Sequence, residues 1–252
     1  MKCIWLNMTD STNALAARCR KEAEHLTVWS AEYQSEGKGQ RGNKWESADK
    51  ENLTFSILVK PTQLRANNQF VISQIASLAV VEYLRTKGVE AKIKWPNDIY
   101  VGDKKICGML IENFLSGDKL SESIIGIGLN INQKLFSKDI PNPTSLILET
   151  SSEEKYDVKK ELEIFAEIFS QQYAQIISAD PEQLKANARY SQLLYRMGEE
   201  HRYIQTDYYT EGTPGEIVGK IVGIEEKTAR LILQLDNGQL RKYFFKEIAY
   251  II

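Results

Sequence analysis

Gly37-Lys38-Gly39-Gln40-Arg41-Gly42 spells GxGxxG, and the fold class turns on whether it is a dinucleotide fingerprint. A true fingerprint follows a strand, opens a helix and is answered by an acidic residue about 20 positions on. Here Leu26 to Gln34 (LTVWSAEYQ) is β-prone, but polar Asn43-Lys44-Trp45-Glu46 follows the glycines and then Leu53 to Lys60 (LTFSILVK), a strand stopped by Pro61. The segment Ser35 to Lys50 is therefore a long loop between strands, and the dinucleotide fold is set aside. A kinase glycine loop also joins strands, yet neither DFG nor HRD occurs downstream. What survives is local chemistry. Three glycines let backbone N–H groups approach an anion, and Lys38, Arg41 and Lys44 surround the same spot with positive charge. A phosphate or carboxylate is the expected guest.

Outward from this loop, strands and helices alternate. Asp10-Ser11-Thr12-Asn13 supplies N-cap candidates for a helix over Ala14 to Ala23, and Asn68 to Lys87 is an apolar-periodic helix closed by Gly88. Ala91 to Trp95, Ile99 to Val101, Lys105 to Glu112 and Ser123 to Asn132 read as strands, with Gly102-Asp103 as a tight turn. Their short connections favour antiparallel pairing. Val158 to Ile177 is a second long helix whose Leu162, Phe165, Phe169, Tyr173 and Ile176 are core residues by spacing, and Pro181 marks the first turn of a third. From about Tyr195 the pattern changes to short strands, Arg202 to Thr206, Gly215 to Glu225, Ala229 to Leu235 and Gln239 to Phe245, with a hairpin turn at Asp236-Asn237-Gly238. The expectation is an α+β protein of two units. Residues 1–194 form a mixed, largely antiparallel sheet with helices packed on it, and residues 195–252 a small SH3-like β-barrel.

Composition narrows the function. The 252 residues carry 32 Lys and Arg against 34 Asp and Glu, a formal charge of −2, so no bulk basic field points to nucleic acid. Cys3, Cys19 and Cys107 form no CxxC pair, as expected for the reducing cytoplasm. With only His25 and His201, remote from each other, a Cys/His zinc site and a Ser-His-Asp triad are both disfavoured. Met1 to Thr9 lacks a signal-peptide pattern, and no apolar run reaches the ~20 residues of a membrane span. The chemistry falls to Lys, Arg, Asp, Asn and backbone.

Three further segments carry such residues. Lys94-Trp95-Pro96-Asn97-Asp98 sets an amide beside a carboxylate in a proline turn. Lys104-Lys105-Ile106-Cys107-Gly108 starts a strand whose alternation sends one of the two lysines inward. Gly126-Ile127-Gly128-Leu129-Asn130 places glycines inside a strand, the usual mark of a bulge or of close approach by something else.

AEYQ, GKGQRGNKW, KWPNDI, DKKICG and IGLNIN, in this order and spacing over Asp10 to Asn132, together resemble the biotin protein ligases. The resemblance implies a class II synthetase-like biotin/lipoate ligase catalytic domain that joins biotin to ATP as biotinyl-5′-AMP and passes it to one lysine of a biotin carboxyl carrier domain of a carboxylase. By that resemblance Lys105 bridges the biotin carboxylate and the α-phosphate. Lys38, where arginine is more usual, and Arg41 cradle phosphate or acyl-adenylate. Ser11, Thr12, Asn13 and Gln34 meet biotin, with Gly37, Lys38, Gly39, Gln40, Lys105 and Gly108 completing its site. Trp45 stacks near adenine, and Asn97 and Asn130 serve ATP. Asp98 and Asn130 are the oxygen ligands offered to Mg2+, and Asp98 is the group placed to orient the acceptor lysine or take its proton. Gln40 and Asn43 stand where many members have arginine, which implies a looser grip on the adenylate. The chain begins almost on the substrate-binding segment, so the expectation is an enzyme without a DNA-binding repressor role and without membrane attachment; a homodimer is allowed. A lipoate ligase of the same fold and a catalytically silent biotin-binding module are the alternatives. Arg241, Lys242 and Lys246 near the C-terminus read as surface charge.

Overall fold

The loop joins two neighbouring strands of a seven-stranded sheet of order β1-β2-β3-β7-β6-β5-β4. The strands are β1 (Lys2–Thr9), β2 (Thr27–Gln34), β3 (Leu53–Val59), β4 (Lys92–Lys94), β5 (Asp98–Val101), β6 (Lys104–Ser116) and β7 (Lys119–Leu129). Only β1 and β2 pair in parallel; the other pairs are antiparallel. The computed structural model describes the backbone of residues 1–177, 186–209, 211–225 and 228–252, without the side chains of Arg41, Ala186 and Asn187.

Every residue of β3 is buried, under helices on one face and under a short helix and the glycine loop on the other. On one side, α2 (Phe70–Thr86) and α4 (Val158–Ile177) pack over Phe55, Ile57 and Val59. Phe165 of α4 meets Phe55 edge-on at 5.2 Å between ring centroids, a favoured aromatic geometry. On the other side α1 (Thr12–Cys19) is short; its Ala16 packs on Trp29, Leu58 and Ile124, and its Asn13 stands over Gly126. The rest of that face stays open, and the functional residues collect there.

Beyond α3 (Leu146–Thr150) and α5 (Ala186–Gln192) lies a five-stranded antiparallel sheet of order β11-β10-β9-β8-β12. It comprises β8 (Glu200–Gln205), β9 (Gly215–Ile224), β10 (Leu231–Leu235), β11 (Leu240–Tyr243) and β12 (Ile248–Tyr250). This is the expected SH3-like sheet, but among the described residues its outer strands form no closing ladder, so it is an open barrel.

Some boundaries moved. The first helix ends at Cys19, not Ala23, and β6 and β7 run on to a turn at Gly117, whose φ of 61° suits glycine. Neither α3 nor β12 was expected. The helix start assigned to Pro181 lies outside the described residues.

Candidate active site

Directly opposed residues on paired strands share a face. The register Thr54↔Gly128, Gly128↔Gly108, Gly108↔Asp98 and Asp98↔Lys94 therefore makes one row across β3, β7, β6, β5 and β4. A parallel row runs Ser56, Gly126, Leu110. The glycines turn these rows into a floor on which other groups rest. A Cβ on Gly128 would lie 2.2 Å from Cε2 of Trp45, and one on Gly126 would lie 2.1 Å from Oδ1 of Asn13.

Strict alternation from Gly108 would bring Lys104 to this face. A register shift in β5–β6 pairing places Lys105 opposite Tyr100 and Gly108 opposite Asp98, so Lys105 joins the floor side. Bulges commonly re-aim a side chain in this way. Lys105 Nζ lies 2.8 Å from Asp98 Oδ1 and 5.6 Å from the centre of the Trp45 ring. Lys104 points out to Glu149 at 3.0 Å. Asn97, beside Asp98, is committed to the backbone: its amide donates to the Met109 carbonyl, and Met109 N–H donates back to the Asn97 carbonyl at 3.0 Å.

At the other end of the floor Thr12 and Asn13, in the first turn of α1, are buried together with Ser11. Gln34 Oε1 accepts from Thr12 N–H at 2.7 Å and from its hydroxyl at 3.1 Å. Ser56 reaches up from β3 to Thr12 Oγ1 at 2.8 Å and to Asn13 Oδ1 at 2.6 Å. The Asn13 amide donates to Glu112 Oε2 at 2.7 Å. Ser56 and Glu112 had not been singled out; alternation from Leu58 and Leu110 was the available signal. Ser11 occupies the N-cap position but makes no side-chain cap bond.

The glycine loop closes over this floor as a narrow hairpin. Lys38 and Lys44 form an antiparallel bridge, Trp45 N–H donates to Gly37 O at 2.9 Å, and Gly39 N–H to Asn43 O at 2.7 Å. At Gly37 a Cβ would collide with the Trp45 carbonyl at 2.4 Å, so glycine is required for the closure. Arg41 lies in the 3-10 turn Gln40–Gly42, and its side chain is outside the description. Lys38 and Lys44 stay exposed.

Loop, floor and C-terminal sheet together enclose a cavity of ≈ 750 Å³. Its walls include Phe136 and Ile140 from the segment after β7, which carried no sequence signal, and Phe245, Lys246 and Tyr250 from the C-terminal unit, so Lys246, read from the sequence as surface charge, borders the cavity. Among the described residues, six buried side-chain polar atoms lack a partner, and four belong to residues lining this cavity: Gln40 Oε1, Trp45 Nε1, Asn130 Oδ1 and Tyr250 Oη. Buried polar groups are normally satisfied, so the residues around this cavity are unusually rich in unpaired polar atoms. Lys94 also lines the cavity, with Nζ 3.1 Å from Tyr100 Oη and 5.1 Å from the Tyr250 ring centre. Burial pushes its ammonium below the usual lysine pKa, against the opposing pull of Asp98. No group of three or more His, Cys, Asp or Glu among the described residues is placed to hold a metal ion.

Known proteins are similar to this chain in sequence and fold. The chain is 28% identical over 254 residues to the bifunctional ligase/repressor BirA of Bacillus spizizenii, an alignment covering 97% of the chain and 73% of that protein. It is 33% identical over 129 residues to the biotin–[acetyl-CoA-carboxylase] ligase of Paracoccus denitrificans, covering 50% of the chain and 53% of that protein. Among solved structures, the biotin protein ligase of Aquifex aeolicus in complex with biotin and ATP superposes with a TM-score of 0.76 at 27% identity, covering 98% of this chain and 97% of the other. The family model described as "Biotin/lipoate A/B protein ligase family" matches residues 5–130, half of the chain, and the chain belongs to that family.

Proposed function

We propose that the chain is an ATP-dependent ligase that activates biotin as biotinyl-5′-AMP and transfers it to a lysine of a biotin carboxyl carrier domain. The observation that carries this is Lys105 paired with Asp98 over a glycine floor, inside a cavity lined by residues that hold four of the six unsatisfied buried side-chain polar atoms among the described residues. In the first half-reaction a biotin carboxylate oxygen attacks the α-phosphorus and the bond to the bridging oxygen of pyrophosphate breaks. Two anions must meet, and the Lys105 ammonium is the cation available between them. Lys38 and Arg41 add charge from the loop. Asn130 Oδ1 and Trp45 Nε1, an orphaned acceptor and an orphaned donor, serve the adenylate, with Asn97 fixing the neighbouring turn.

Biotin lies toward α1. Ser11, Thr12 and Gln34 offer polar contacts there, Asn13 holds the pocket wall through Ser56 and Glu112, Gly39, Gln40 and Gly108 line the cavity, and Gly37 lets the loop close over it. Mg2+ would be held by Asp98 and Asn130 with substrate oxygens filling its remaining positions, and it would offset phosphate charge. The unpaired, buried Oδ1 of Asn130 fits that donor chemistry. In the second half-reaction the carrier lysine amine attacks the biotinyl carbonyl and AMP leaves; Asp98 is the nearby carboxylate to orient the amine or take its proton.

The division into residues 1–194 and 195–252 belongs to the same proposal, supported by the two separate sheets. So does the cytoplasm, supported by three free cysteines. The outer edge of β1, with Trp5 and Met8 exposed, supports a side-by-side homodimer. The test is the mass of a carrier domain incubated with this chain, biotin and MgATP: one added biotin is expected. Lys105→Met should lower the rate by ~10²–10³. An unmodified carrier, with a known biotin ligase succeeding in parallel, overturns the proposal.

A further inference from the structure

Lys104 and Lys105 are neighbours on β6, and strand alternation lets only one of them face the cavity floor. The register shift that gives Lys105 this place falls where β6 has outrun β7, because the β6–β7 ladder begins at Cys107 opposite Leu129. A short strap stands in for β7 there. Lys105 N–H donates to Asn142 O at 2.8 Å and Thr144 N–H donates to Lys105 O at 2.9 Å, a parallel bridge between Lys105 and Pro143. Pro141 and Pro143 fix φ on either side of Asn142, whose side-chain amide donates to Asp103 O in the turn before β6. The strap therefore grips Lys105 through both of its backbone groups.

Thr144, fully buried, is where the strap is fastened. Its carbonyl accepts from Asn130 Nδ2 at 2.9 Å, which leaves Asn130 Oδ1 unpartnered. Its hydroxyl donates to Glu149 Oε1 in α3, and the same oxygen takes the Lys104 ammonium at 3.0 Å. One carboxylate oxygen thus draws Lys104 away from the floor and pins the strap that keeps Lys105 on it. Pro141 and Pro143 line the cavity, whereas Thr144 and Glu149 are not among its lining residues. We propose that Thr144 and Glu149 are positioning residues for adenylation, locking the register in which Lys105, and not Lys104, meets the reacting carboxylate and phosphate. The proposal rests on the ligase function above. Its weight comes from geometry, since a misplacement of about 1 Å at a reacting group can cost ~10²-fold in rate.

The test measures the two half-reactions separately. Thr144→Val keeps the shape and the backbone bonds but drops the tie to Glu149. It should lower kcat for biotinyl-AMP formation by about tenfold, with the KM values for biotin and ATP changed by less than about twofold. Transfer from preformed biotinyl-AMP to a carrier domain should keep its wild-type rate, because the two anions have already been joined. Thr144→Ser, which retains the hydroxyl, should restore kcat. An unchanged kcat in Thr144→Val, an equal fall in both half-reactions, or a Thr144→Ser variant as slow as Thr144→Val overturns the positioning role. Wild-type protein that makes no biotinyl-AMP overturns the ligase function instead. Should Thr144→Val fail to fold, Glu149→Leu decides by the same comparison: adenylation alone slows if the strap aims Lys105, and equal rates to wild type refute it.

Discussion

Trp45 lies with its indole on Gly108 and Gly128, and its N–H is buried without an acceptor. An unpaired buried N–H is unusual for a tryptophan in a loop. Gly128→Ala would set a methyl 2.2 Å from the indole, too close for either group to stay. Overpacking of this kind costs about 1–3 kcal/mol, and here it falls on the loop rather than the core. Shifted indole fluorescence and a KM for ATP raised by roughly tenfold are expected; an unmoved spectrum would mean that the glycine is dispensable. Gln40 is the second orphan in the loop. Gln40→Arg replaces a lone acceptor with a guanidinium fork, and a hydrogen bond to a charged group is worth about 1.5–3 kcal/mol. Release of biotinyl-AMP, followed by chasing labelled adenylate with unlabelled ligand, should slow by about tenfold or more. The two glycines were legible as sites of close approach because no strand needs them otherwise. That Lys105 and not Lys104 faces the site was not legible from alternation, because the register shift that decides it arises from pairing between β5 and β6.

The long elements follow from periodicity alone. The run from Val158 to Ile177 needs one apolar stripe, and α4 has those bounds. Beside that stripe Glu161 is buried, accepting from Tyr83 Oη of α2 at 2.7 Å and pairing at 2.5 Å with Nζ of Lys87, the residue that caps α2. Lys87 in turn lies 5.6 Å above both the Tyr83 and Tyr156 rings. Removing the carboxylate strands a largely buried ammonium, so Glu161→Ala should lose about 3 kcal/mol of stability in a urea titration. Biotin affinity of the folded fraction should stay the same, since this cluster is on the covered side of the sheet. The short elements are a different matter. The α3 helix starts where Leu146 N–H bonds to the carbonyl of Asn130, and β12 exists through its pairing with β8. Three to five residues hold too little periodic signal, and partners distant in sequence set both elements.

At the scale of the molecule, the two sheets meet along β4. Ile93 N–H bonds to Leu193 O and Tyr195 N–H to Ile93 O, each at 2.8 Å, so the segment entering the C-terminal sheet is fastened to the strand that carries Lys94. Trp95 adds a second tie, with Nε1 donating to Ala229 O at 3.1 Å and its ring edge-on to Phe245 at 6.1 Å. The change of pattern near Tyr195 disclosed a second unit in the sequence, but a cavity built by both units depends on contacts such as these, which no local pattern encodes. Trp95→Phe keeps an aromatic ring and removes the N–H, leaving the Ala229 carbonyl unpaired at a cost of about 1–3 kcal/mol. The loosened seam borders the Lys94 end of the floor, whereas the biotin end is closed by α1. The KM for ATP should therefore rise while the KM for biotin stays constant. An equal rise in both would mean that the C-terminal sheet supports the floor as a whole and not its nucleotide end.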